Sequence, residues 1–113
     1  MSARVSSATL VAALRRRCEA DGGNAMVLAK GDDIAGAVLL MLIRNGVLDR
    51  LIERGPAPDG GYRWVQAGPD ASDDAAAIDS YLSRRRKFDP DIWVVELDLP
   101  EAPDWLDEMI GAA

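Results

Sequence analysis

The chain has no histidine and a single cysteine among its 113 residues. Those two shortages remove much familiar chemistry. Without histidine there is no Ser-His-Asp or Cys-His relay and no His-containing zinc site, and one thiol builds neither a cysteine cluster nor an internal disulfide. No Walker-type phosphate loop occurs, and no G-x-G-x-x-G opens a helix. The longest apolar run, Ala37 to Ile43, falls far short of the ~20 residues that span a bilayer. The N-terminal stretch reaches Arg15, Arg16 and Arg17 without the apolar core and cleavage site of a secretory signal. Together with the lone Cys18, this gives a reducing, cytoplasmic setting and no membrane association as the expectation.

Bases are missing from one part of the chain altogether. Residues 88 to 113 carry eight acids and no Lys or Arg, whereas the first 87 carry 13 bases and 11 acids, so the net charge of −6 is concentrated at the C-terminal end. A negative chain repels polyanions unless its bases collect on one face, which makes a nucleic-acid partner unlikely. What is present is an ordinary globular mixture, 49% hydrophobic and 28% charged, long enough for one self-supporting domain over residues 1–113.

Apolar spacing predicts a first helix from Ser7 to Asp21, with Ser6 or Ser7 as cap, Leu10, Val11, Leu14 and Cys18 on one face, and Gly22-Gly23 as its stop. Asn24 to Lys30 and Ala35 to Ile43 read as strands joined in a hairpin by Gly31-Asp32-Asp33. The second strand is apolar at every position, so both of its faces need cover. Asn45-Gly46 predicts a tight turn into a strand from Val47 to Arg54, with a helix as the alternative. The glycines and prolines of residues 55–61 predict a loop, and Tyr62 to Gln66 a short strand. A second helix is expected after a cap at Ser72, its inner edge traced by Ala75, Ile78, Tyr81, Leu82 and Arg85. Pro90 ends it and leads into a strand from Ile92 to Leu99, with Trp93, Val95, Leu97 and Leu99 on one face. A short C-terminal helix follows.

The resulting expectation is an α+β fold: an antiparallel sheet of four or five strands, two main helices packed on it and the short C-terminal helix. Two helices on one side of a small sheet leave the other side apolar. That argues for a homodimer, with the C-terminal segment folded across the second face as the alternative.

The densest chemistry lies where Arg84, Arg85, Arg86 and Lys87 run into Asp89-Pro90-Asp91. Two carboxylates flanking a rigid proline, beside four cations, form the candidate ligand or partner site, suited to a cation or a phosphorylated small molecule. The bland reading is a strand-entry turn whose Asp side chains satisfy nearby backbone N–H groups. No further ligands at metal spacing accompany them, so no metal and no cofactor is expected. Trp105, Leu106, Met109 and Ile110 form a second candidate, a docking stripe for a protein partner, against the simpler reading that the stripe packs on its own domain. Trp64, Trp93 and Trp105 could stack bases beside arginines, but core packing suits them better.

Leu14-Arg15-Arg16, Gly31-Asp32 with Gly36-Ala37-Val38-Leu39, and Tyr81-Leu82 leading into Phe88-Asp89-Pro90-Asp91-Ile92-Trp93-Val94-Val95-Glu96 resemble a bacterial family known as domain of unknown function 1491. The resemblance runs from about Leu10 to Asp98 and implies no activity. With catalytic constellations missing, the expected role is a small non-enzymatic binding or adaptor domain that contacts an unidentified protein.

Overall fold

The computed structural model describes residues 5–70 and 74–109, in the order α1 (Ser7–Ala20), β1 (Asn24–Ala29), β2 (Val38–Arg44), β3 (Val47–Pro56), β4 (Tyr62–Gln66), α2 (Ala75–Phe88), β5 (Trp93–Leu99) and a 3-10 turn, Leu106–Met109. The five strands form one sheet in the order β1-β5-β2-β3-β4. It is mixed rather than antiparallel: β5 runs antiparallel to β1 and parallel to β2, while the β2–β3 and β3–β4 pairs are antiparallel.

The expected β1–β2 hairpin is therefore split, with β5 inserted between its arms. The reason is burial. Trp93, Val95, Leu97 and Leu99 are buried on one face of β5 and Val94 on the other, a pattern suited to the middle of a sheet. Residues 30–37 are long enough to pass around the start of β5. They are tied there: the Asp32 N–H donates to the Asp91 carbonyl, the Trp93 N–H to the Ala37 carbonyl, and the Trp93 indole to the Asp32 carbonyl at 2.7 Å. What reads as turn chemistry is a clamp on the start of β5, an interior strand.

Asn45 and Gly46 both have positive φ, 51° and 83°, the geometry of a type I′ turn, and Val47 onward is strand, not helix. Regular pairing continues through Gly55 and Pro56, which face Arg63 and Tyr62, so the expected loop begins later. Pro56 is tolerated at the end of its strand, where a missing N–H costs little. Ser6 caps α1, its hydroxyl accepting the Thr9 N–H at 3.2 Å. The α2 cap is Asp74, whose carboxylate accepts the Ala77 N–H at 2.7 Å; the expected cap, Ser72, lies outside the described residues.

The helices take opposite faces. On one, α1 and the C-terminal turn pack on Val38, Leu40, Leu42, Val95 and Leu97. On the other, Tyr81 and Leu82 of α2 cover Leu39, Ile92 and Val94. The apolar β2 that argues for a dimer in the sequence is thus covered on both faces within one chain. The C-terminal helix is reduced to the 3-10 turn, and its segment is fixed by tryptophans: Trp64 donates its indole N–H to the Leu106 carbonyl at 2.9 Å and Trp105 to Asp21 at 2.6 Å. No helix among the described residues is long and apolar enough to cross a membrane.

Candidate partner-binding groove

The basic run at the end of α2 divides by helical spacing. Arg85 points inward: its guanidinium donates to both Glu53 oxygens, at 2.9 and 2.6 Å, and to the Tyr81 hydroxyl at 2.6 Å. Hydrogen bonding to Glu53 pushes the Arg85 pKa above its ordinary range, against the opposing effect of burial. This cation belongs to the structure. Arg84, Arg86 and Lys87 are exposed and make no ion pair among the described residues.

Asp89 and Asp91 do not converge on a common point. The Asp89 carboxylate accepts the Asp91 N–H at 3.1 Å, and the Asp91 carbonyl, not its side chain, receives the Asp32 N–H at 3.0 Å. This is an Asx turn, in which an Asp side chain satisfies backbone two residues on. Among the described residues no group of three or more His, Cys, Asp or Glu could hold a metal ion.

Arg86 and Lys87 instead border a cleft of about 400 Å3 between α2 and the end of β1. Lys30, Arg86 and Lys87 supply cations and Ser83 a hydroxyl, over Ala29 and Ile92; no carboxylate among the described residues lines it. The Lys30 ammonium has Asp33 at 4.0 Å, but both side chains are about two-thirds exposed, so water screens the pair. Ser83 and Arg86 also line a second hollow of about 360 Å3, walled by Leu28, Leu82, Val94 and the acidic Asp79. Together they form a groove that is apolar along its floor and cationic at one end.

Strand β1 forms one wall of this groove. Ala25 and Val27 pack toward α1, so strand alternation turns Met26 to the α2 side, where it is 59% exposed. The register shift between Val27 and Ala29 makes Leu28 an extra residue, and such a bulge re-aims the side chains around it. Leu28 and Ala29 both face the groove, Leu28 being 41% exposed. Sequence reasoning missed Met26, Leu28, Lys30 and Ser83. The strand pattern of β1 was legible, but nothing local marks it as a sheet edge or places Ser83 of α2 beside it.

The docking stripe is turned inward. Trp105 and Leu106 are buried in the main core and Met109 packs against it; Ile110 lies outside the described residues. Arg17 of α1 sits over the Trp105 ring, 5.2 Å from its centre. All three tryptophans spend their N–H groups on distant segments of the chain, so they form no stacking platform for bases. The two arginine clusters lie on helices that cover opposite faces of the sheet, and do not merge into one basic stripe.

A five-stranded mixed sheet with a helix on each face and a loop clamped around the start of β5 defines a small α+β domain. The chain belongs to the family described as "Protein of unknown function (DUF1491)", whose model matches residues 5–107. It is similar to a family member from Caulobacter crescentus CB15 solved by crystallography, with 38% identity, a TM-score of 0.76 and coverage of 86% of this chain and 90% of that one. An NMR structure of a family protein from the same organism gives 40% identity, a TM-score of 0.71 and coverage of 87% and 89%. The solution structure of Atu0922 from A. tumefaciens gives 32% identity, a TM-score of 0.62 and coverage of 88% and 90%. No curated protein matches.

Proposed function

We propose that the protein is a non-enzymatic binding domain and that the groove between β1 and α2 seats an acidic, apolar segment of a partner protein. One observation carries the reading. In a chain with 19 acids and 13 bases, the cleft beside Lys30, Arg86 and Lys87 gathers three cations, lined by no carboxylate among the described residues. Clustered like charges repel, and a carboxylate supplied from outside relieves that repulsion. The α2 C-terminus favours some positive charge through its dipole, but that effect is confined to the last turn and does not account for Lys30, which comes from another element. The apolar floor adds area that a partner's aliphatic side chains can cover.

The competing assignment, a cation or phosphorylated small molecule held by Asp89 and Asp91 with the arginines, finds less support. The Asp89 carboxylate is engaged by backbone, and Arg85 by Glu53.

The test uses the whole protein with a photoreactive residue at Ser83, in wild type and in Arg86→Glu/Lys87→Glu. Both bases are exposed, so the charge-reversed variant is expected to fold, with a modest loss of Tm from the α2 dipole. A protein cross-linked by the wild type, lost from the variant and lost again as salt is raised supports the reading. The same cross-links in both proteins overturn it.

A further inference from the structure

The reading of the groove leaves open how a partner is held, and the neighbouring strand suggests an answer. We infer that β1 is an acceptor edge: the partner adds an extended strand to it, antiparallel, with acidic residues leading into the cleft of Lys30, Arg86 and Lys87. This rests on the groove reading and specifies the form of its occupant.

Three features of the sheet carry the inference. Strand β1 pairs with β5 alone, so the outward backbone groups from Asn24 to Val27, where the register is regular, have no strand partner among the described residues. Such an edge is a template for another chain, and proteins usually blunt it with charges, proline, bulges or a covering segment; the bulge of β1 falls at Leu28, past the regular stretch. The opposite edge is blunted in this way: β4 carries Arg63, and Trp64 is tied to the C-terminal segment. Strand β1 carries neither charge nor proline from Asn24 to Ala29, and it leaves Met26 and Leu28 exposed.

The bulge at Leu28 stops regular pairing before the cleft and turns the groove wall toward it. An incoming strand therefore finds backbone partners first, apolar contacts beside them, and cations at the far end. Strand addition combines these roles, with backbone bonds giving affinity and side-chain pockets giving selectivity. A second copy of this chain is the poorer occupant, since its own β1 has no acid to offer the cleft.

The experiment titrates the full chain with a synthetic peptide pool, two glutamates followed by valine, isoleucine or leucine alternating with threonine. Two further pools carry N-methyl groups on one or the other set of alternate residues. Affinity is read by fluorescence anisotropy and position by the amide resonances of residues 24–30. If β1 accepts a strand, methylation of the inward set weakens binding about tenfold or more, as loss of several hydrogen bonds requires, while methylation of the outward set does not. Leu28→Lys weakens the unmodified pool as well. Equal binding of all three pools with shifts in the groove overturns strand addition and leaves the groove reading intact. No binding by any pool overturns both. A sedimentation mass of twice 12.2 kDa that Leu28→Lys abolishes assigns the edge to a second copy and overturns the partner.

Discussion

Trp93 joins the core to the loop that surrounds it. Its ring is 5% exposed among core residues, and its indole N–H holds the Asp32 carbonyl. Trp93→Ala is expected to cost about 3–5 kcal/mol, the range for large aromatic truncations in cores. Trp93→Phe keeps most of the packing but removes one of the two donors to the Asp32 carbonyl, which retains the Gly36 N–H, at about 0.5–1.5 kcal/mol. Chemical denaturation of the two variants separates packing from the hydrogen bond. Cys18 is the other informative residue. Burial, with smaller contributions from Glu19, Asp98 and Asp21, pushes its thiol from an ordinary 9.0 up to about 11. The raised native pKa means that the unfolded state ionises first, so the stabilisation from the neutral thiol is complete below pH 9 and is lost as pH climbs toward 11. Cys18→Ala lacks this dependence, and the stability difference between the two proteins is expected to narrow over that interval. Native Cys18 should also resist alkylation at neutral pH, as a protonated, buried thiol does.

At the scale of elements, the loop at residues 30–37 tolerates little change. A side chain at Gly31 meets the Asp91 carbonyl and the Trp93 ring, and one at Gly36 meets the Asp91 carbonyl and the Asp32 backbone. Ser7 reinforces the loop by donating to the Gly36 carbonyl at 2.6 Å. Gly31→Ala is expected to lose about 1–3 kcal/mol through overpacking, whereas Gly61→Ala, with only the Asp59 carboxylate nearby at 3.4 Å, should melt like the wild type. The attachment of α2 depends on fewer contacts. Its bidentate Arg85–Glu53 pair is about a quarter exposed on each side, so breaking it with Arg85→Ala should cost about 1–3 kcal/mol. A double-mutant cycle with Glu53→Gln then returns a coupling energy well above that of a surface pair.

Over the whole molecule, charge is distributed by structure as well as by sequence. The acid-rich C-terminal segment folds back along α1 and β4, where Asp104 and Asp107 border a hollow with Arg50 and Gln66. On the other face Lys30, Arg86 and Lys87 gather at the groove. Because both faces of β2 are covered within the chain, sedimentation at micromolar concentration is expected to give a monomer of 12.2 kDa. A dimer at the same concentration would direct attention to the β1 edge, the site where a copy could still pair.

Local pattern determined where the helices and strands lie, since apolar spacing, caps and turn dipeptides act over a few residues. Leu10, Val11, Leu14 and Cys18 declare the buried face of α1, and Asn45-Gly46 declares its turn, without reference to anything distant. Tertiary structure alone decided that β5 splits β1 from β2, because hydrophobic burial favours an interior position for a strand with two apolar faces whatever its place in the chain. That one insertion made the sheet mixed, turned Gly31-Asp32-Asp33 from a hairpin turn into a clamp, and sent the two helices to opposite faces. It also moved the candidate site. The arginines and aspartates adjacent in sequence separate into a structural ion pair, an Asx turn and a cationic cleft, and the cleft is completed by Lys30 from a segment more than 50 residues away, which only the pairing of β1 with β5 brings near.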